Sequence, residues 1–251
     1  MKVDLNCDMG EGFGRYALGQ DEAIMPLITS ANIACGYHAG DPVVMQKTVA
    51  LAIEHGVSIG AHPGYPDLQG FGRRNMDLSP SEVEAMVLYQ IGALAGMAKA
   101  AGAELAHVKP HGALYNQAAK DRALAEAIAR AVARFSKSLI LVGLAGSMMI
   151  KAGVESGLRT ANEGFPDRAY NPDGTLMSRR LPGAVLESPG EAAANAARLA
   201  KEGILFGAQW VRVDTLCIHG DNTNALAMAK AVHEALITTG VQVGSLRHEL
   251  S

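Results

Sequence analysis

Cysteine is scarce in this 251-residue chain. There are three, an odd number and widely spaced, with no C-x-x-C pair, which excludes a disulfide framework. Aromatic residues make up 5% and the formal net charge is -3, so neither a base-stacking platform nor a basic footprint for nucleic acid is present. Long apolar runs are also missing. The longest uncharged one, 85–98, has 14 residues and contains Gln90, too short to span a bilayer. The start, Met-Lys-Val-Asp-Leu-Asn, lacks the apolar core of a signal peptide. There is no G-x-x-x-x-G-K-[ST] phosphate loop and no G-x-S-x-G nucleophile elbow. Gly10-Glu-Gly12-Phe-Gly14 has the wrong spacing for a dinucleotide loop, and an acid sits inside it. The expectation is a cytoplasmic α/β protein that binds neither nucleic acid nor membrane.

What is present is ordered. The chain is 49% hydrophobic and 19% charged, with 28 glycines spread along it, which argues against disorder. Short apolar or β-branched runs at 3–7, 30–35, 57–61, 105–109, 139–144, 159–162 and 215–219 read as strands. Helix patterns fall between and after them at 21–28, 42–55, 80–101, 121–135, 147–156, 189–201 and 223–239. Ser79-Pro-Ser-Glu82 and Ser188-Pro-Gly-Glu191 each offer a Ser N-cap, Pro at the first helical position and Glu three residues on. Strand–helix alternation implies a mainly parallel sheet with right-handed crossovers. A length near 250 suits one barrel, so 1–251 reads as a single domain. The longest loops, 8–20, 63–78 and 164–186, have the size of binding loops or lids.

Polar residues cluster at the strand ends: Asn6-Cys-Asp8, Cys35-Gly-Tyr-His38, Gly60-Ala-His62, Lys109-Pro-His111, Asn162-Glu163 and His219-Gly-Asp221. In a parallel barrel all these ends meet at one mouth. Strand alternation makes Asp4, Asn6 and Asp8 share one face of their strand, as it does His107, Lys109 and His111 on theirs. Single residues have ordinary explanations: Asn222 as a helix N-cap, Asp21 as a first-turn acid, the cysteines as small core residues. A lysine inside an apolar strand is harder to explain without a partner.

Several chemistries fit such a mouth. Asp8, His38 and His62 could hold a divalent metal with open positions, or orient water without one. Lys109 could stabilise an oxyanion or a phosphoryl oxygen. Arg73, Arg74, Arg168, Arg179 and Arg180 sit in the long loops, where Arg forks match carboxylates and phosphates. Cys217 shares a face with His219 and is the cysteine closest to this chemistry by position.

Six blocks carry a family resemblance: Asp4-Leu-Asn-Cys-Asp-Met-Gly-Glu-Gly-Phe-Gly14, Ser30-Ala-Asn-Ile-Ala-Cys-Gly-Tyr-His-Ala-Gly-Asp-Pro42, Gly60-Ala-His-Pro-Gly-Tyr-Pro-Asp67 with Gly70-Phe-Gly-Arg-Arg74, Val108-Lys-Pro-His-Gly-Ala-Leu-Tyr-Asn116, Glu163-Gly-Phe-Pro-Asp-Arg-Ala-Tyr170 and Ile218-His-Gly-Asp221. In these the chain resembles the LamB/YcsF family of 5-oxoprolinase A subunits. The resemblance implies a seven-stranded β/α barrel related to that of polysaccharide deacetylases. It also implies ATP-dependent opening of 5-oxo-L-proline to L-glutamate, with ATP and magnesium as co-substrate and subunits B and C as partners.

On that reading Asp8 and His38 activate water and His62 orients it. Lys109 stabilises charge on the lactam or phosphate oxygen, and His111 or Glu163 protonates the leaving nitrogen. Asn6, Arg73, Arg74, Arg168, His219 and Asp221 are expected to contact substrate. Two rival readings are a stand-alone metal-dependent deacetylase or amidohydrolase, with Asp8, His38 and His62 as ligands, and a non-catalytic scaffold subunit.

Overall fold

The computed structural model describes residues 1–179, 181–206, 208–219 and 224–246. β1 (Lys2–Met9), β2 (Ser30–Ala34), β3 (Ser58–His62), β4 (Leu105–Val108), β5 (Ile140–Leu144) and β6 (Arg159–Gly164) pair in chain order, all parallel. A short antiparallel hairpin, β7 (Ile204–Phe206) with β8 (Gln209–Val211), follows. β9 (Thr215–Ile218) then closes the ring, bonded to β6 through Glu163↔Thr215 and to β1 through Asn6↔Cys217. The result is the closed seven-stranded α/β barrel expected from the sequence. β10 (Gln242–Val243) pairs, among the described residues, with the start of β1, outside the ring.

Alternation along β1 explains why the barrel forms around this sequence. Val3, Leu5, Cys7 and Met9 join the apolar core. Asp4, Asn6 and Asp8 reach partners on other strands inside the ring. The helices α1 (Asp21–Ile24), α2 (Pro42–Glu54), α3 (Pro80–Ala100), α4 (Gly112–Ala118), α5 (Arg122–Phe135), α6 (Met148–Glu155), α7 (Pro189–Glu202) and α8 (Ala225–Thr238) connect the strands. On α5, Leu124, Ile128 and Val132 form a buried stripe beside outward-facing Arg122 and Arg130. Burying each such side chain contributes about 1.5–3 kcal/mol.

Local signals explain most boundaries. Ser79 and Glu82 complete a reciprocal capping box at the start of α3, and Ser188 accepts from Glu191 N at the start of α7. α1 is shorter than the expected 21–28 helix because Pro26 has no N–H to continue it, and a 3-10 turn, Met25–Leu27, follows. At the end of α7, Gly203 takes φ +82°, and a Cβ there would run into the carbonyl of Val211. α4, the β7–β8 hairpin and β10 carry no strong signal in the sequence. No described helix is long and apolar enough to cross a membrane.

Candidate functional site

The strand C-termini and the loops after them surround a cavity of about 950 Å³. Asp8, Glu11, His62, Lys109 and His111 line one part of it; Arg73, Arg74, Arg168, Arg179 and His219 line the rest. Beneath it a polar network fills the barrel. Lys109 Nζ lies 3.0 Å from Asp8 Oδ1, 2.9 Å from Glu163 Oε1, 3.2 Å from Asn6 Oδ1 and 2.9 Å from Cys217 Sγ. Asn32 donates to Asn6 and Asp8, Asn6 donates to Glu163 and Thr215, and Tyr115 Oη donates to Glu163 Oε2 at 2.7 Å. Deeper still, Asp4 accepts from Thr29, Ser30 and Thr215.

This network decides charge states. Burial pushes the Asp8 carboxyl up, but His62 and Lys109 overcome it and hold Asp8 well below the usual carboxylate range. Burial alone would depress the Lys109 ammonium; the carboxylates of Asp8 and Glu163 raise it well above the ordinary lysine value. The Cys217 thiol is pushed up by burial and sits against an ammonium already shared with carboxylates, so it is a protonated neighbour rather than a nucleophile. Cys7 and Cys35 are buried too.

Next to Asp8 lies a histidine cluster. Glu11, His38, His62 and His111 each present a ligand-type atom, all within 4.8 Å of one another. Because a carbonyl can only accept, His62 Nδ1 must donate to Lys109 O (2.7 Å) and His111 Nε2 to Phe71 O (2.8 Å). The remaining nitrogens, His62 Nε2 and His111 Nδ1, therefore face each other at 2.9 Å as lone pairs when both rings are neutral. Such a contact calls for a proton or a cation between them. Glu11 Oε1 is 3.3 Å from His111 Nδ1 and 3.2 Å from His38 Nε2. His38 stacks on His111, with centroids 3.7 Å apart, and burial pulls its pKa down to about 3.

The donor set fits a divalent cation. Three imidazoles and a carboxylate suit zinc-type ions, and rings anchored through their other nitrogen on carbonyls are typical of ligands. Phe71, whose carbonyl anchors His111, is the one described non-glycine residue with positive φ (+54°).

The structure moves several expected positions. Sequence spacing groups Asp8 with His38 and His62 as a ligand; its Oδ1 is instead held by Lys109 and Asn32, and its Oδ2 lies 3.3 Å from His62 Nε2, beside the four-donor cluster. Glu163 is fully buried under Lys109, Asn6 and Tyr115 and does not line the cavity, so it has no path to a leaving nitrogen. Asn6 is likewise sealed inside the barrel, away from substrate. Lys109 already faces four acceptors with three protons, leaving none for a substrate oxygen.

Arg168 lines the cavity, but its fork donates to Ala184 O and Met177 O, pinning its own loop. Arg74 pairs with Asp67, and Arg73 lies over the Phe71 ring at 5.0 Å. His219 pairs with Asp167. Asp221, Asn222 and Arg180 fall outside the described residues. Glu11 and Asp167 do not stand out by residue pattern. An acid between two glycines just after Asp8 is the available signal for Glu11.

Known proteins resemble this chain over its whole length. The model of the LamB/YcsF family matches residues 3–251. The 5-oxoprolinase A subunit of Tolumonas auensis is 57% identical over 249 residues, covering 98% of this chain and 99% of the relative. The crystal structure of a lactam utilization protein from Thermus thermophilus is 51% identical, covers 98% of this chain and 100% of its own, and superposes with a TM-score of 0.91. A family 4 carbohydrate esterase from Streptomyces lividans shares the fold alone: 13% identity, 98% and 92% coverage, TM-score 0.50.

Proposed function

Since the chain belongs to the LamB/YcsF family, we propose that it is the A subunit of an ATP-dependent 5-oxoprolinase, opening the lactam of 5-oxo-L-proline to L-glutamate with subunits B and C. The observation that carries this reading is full-length identity of 57% to a protein of that name. The cavity chemistry agrees with a hydrolytic step. A five-membered lactam is an unreactive amide, and phosphorylating its oxygen makes the carbon electrophilic and links ring opening to ATP cleavage. With no phosphate loop in the sequence, the nucleotide site is shared with the partners or built differently at the mouth. Dependence on ATP implies a cytoplasmic location.

Asp8 is the base in this reading. It is ionised, faces the cavity and lies 3.3 Å from His62 Nε2 through Oδ2, so a water beside the histidine cluster is within its reach. Lys109 fixes the Asp8 carboxylate through Oδ1 rather than touching substrate. Glu11, His38, His62 and His111 would hold a divalent cation, which when bound supplies Lewis acidity next to the water site. Arg73 or Arg179 on the cavity wall takes the substrate carboxylate.

The test is glutamate release from 5-oxoproline and ATP by this chain with and without its partner subunits. Glutamate from the full set alone supports the reading; none from any combination overturns it. The metal-type cluster favours a second reading, a stand-alone metal-dependent amidohydrolase. That reading requires activity from the chain alone, abolished by chelator.

A further inference from the structure

Lactam opening needs a proton at the departing nitrogen as well as a base at the water. The groups expected to give that proton are committed elsewhere. Glu163 is sealed below the cavity, and both nitrogens of His111 are engaged, by Phe71 O and by the histidine cluster.

One separate imidazole–carboxylate pair faces the same cavity. His219, just past the end of β9, donates from Nδ1 to Asp167 Oδ2 at 2.6 Å. Its ring lies nearly parallel to Phe165, with centroids 5.6 Å apart and 22° between planes. Asp167 is buried, and its Oδ1 has no hydrogen-bond partner among the described residues. Burial pushes the Asp167 carboxyl up, yet His219, with Arg179 and Arg168 also facing it, outweighs burial and holds Asp167 below the usual carboxylate range.

A carboxylate on Nδ1 leaves Nε2 to act outward and stabilises the imidazolium. Nε2 has no partner among the described residues, and the residue lines the cavity. His219 is also near enough to Asp8 for its charge to help hold that carboxyl down. Two networks thus meet at one cavity: Lys109–Asp8–His62 on one side and Asp167–His219 on the other.

Resting on the reading given under Proposed function, we propose that His219, oriented by Asp167, is the general acid that protonates the lactam nitrogen as its bond to the carbonyl carbon breaks. The water oxygen bonds to that carbon and its proton passes to Asp8. When the tetrahedral centre collapses, the C–N electron pair leaves with nitrogen, which takes the proton from His219 Nε2. The new hydroxyl gives its proton to solvent. The phosphoryl group stays on the acyl oxygen until a second water hydrolyses that acyl phosphate to glutamate and inorganic phosphate. The imidazole ends neutral and Asp8 protonated, so transfer of one proton through solvent resets both. Asp167 is a positioning residue and touches no substrate.

The experiment uses the full chain with its partner subunits, measuring kcat and KM for glutamate release across pH, with circular dichroism to establish folding. His219→Ala is expected to lower kcat about 100-fold or more. KM should stay within about threefold. The limb of the pH profile that falls at high pH should vanish, and added imidazole should restore part of the rate. Asp167→Asn, which keeps the shape, should give a smaller kcat loss and move that limb to lower pH. A kcat within about threefold of wild type overturns the proposal. So does a loss confined to KM, or a kcat loss with an unchanged pH profile and no imidazole rescue. If the wild-type set itself releases no glutamate, the underlying functional reading fails; if it does and His219→Ala matches it, only the acid fails.

Discussion

His62 Nε2 and His111 Nδ1 face each other at 2.9 Å, while each ring's other nitrogen is committed to a main-chain carbonyl. With Glu11 and His38 completing a set that could hold a metal, a divalent cation bound there would replace the lone-pair repulsion with ligand bonds. Zinc or manganese added to chelator-treated chain should therefore raise its melting temperature. At a hundred times Kd the stabilisation is about 2.7 kcal/mol. For a chain of this size that is roughly 2–4 °C per kcal/mol. Glu11→Gln should lose most of the rise and Asp8→Asn should keep it, read by calorimetry and metal analysis. An equal loss in Asp8→Asn would return Asp8 to the ligand set.

Lys109 sits between two buried carboxylates, Asp8 and Glu163, at 3.0 and 2.9 Å. Removing it leaves both without their cation, and breaking a buried pair in this way costs about 3–5 kcal/mol. Lys109→Met should show that loss in urea denaturation at neutral pH. Combining it with Glu163→Gln removes one uncompensated charge and should recover part. A loss below about 1 kcal/mol would mean that the ammonium contributes no more than a surface pair does.

The barrel is legible in the sequence because its signals are local. Apolar strand runs ending in polar residues, and Ser-Pro-x-Glu helix starts, need no tertiary information, and all seven strand runs are barrel strands. That Asp8, His62, Lys109 and His111 converge follows from parallel topology. What the pattern cannot carry is direction. Whether Asp8 or Glu11 joins the histidines depends on which oxygen Lys109 and Asn32 already hold. Glu163 looks like a mouth residue by position, yet strand register against Thr215 puts it one layer down. Arg168 lies in a loop suited to anions, but its fork reaches two carbonyls of that same loop.

Gly60, the central residue of β3, is expected to tolerate no side chain. A Cβ there would land inside the His107 ring, whose Nε2 is bonded to Asn32 Oδ1 at 2.7 Å. His107 cannot swing aside without breaking the chain that runs through Asn32 to Asn6 and Asp8. Overpacking a core typically costs about 1–3 kcal/mol, and breaking a buried network adds to it. Gly60→Ala should therefore unfold at lower urea and lose activity, whereas Gly92→Ala, with open space around its Cβ, should do neither. Equal midpoints for the two variants would sink the argument.

Asp21 has the sequence position of a first-turn helix acid, but its carboxylate accepts from Gly10 N–H at 2.8 Å in the loop that carries Glu11. Burial raises its pKa to about 6, against the pull of the Gly10 bond and with help from the charge on Glu11. The folded state therefore binds a proton more tightly than the unfolded chain, whose carboxyl titrates near 3.8. Between those values native protein holds more protons, so stability falls as pH rises through the window, and above about 6 the whole penalty is present. A tenfold change in proton affinity corresponds to about 1.4 kcal/mol, which makes the penalty at neutral pH on the order of 3 kcal/mol. Asp21→Asn keeps an oxygen for the Gly10 N–H and removes the charge. The variant should be more stable than wild type at neutral pH, and the difference should shrink towards zero as the pH approaches the unfolded carboxyl value. Stability curves for the two proteins that run parallel through this window would show that Asp21 titrates alike in both states.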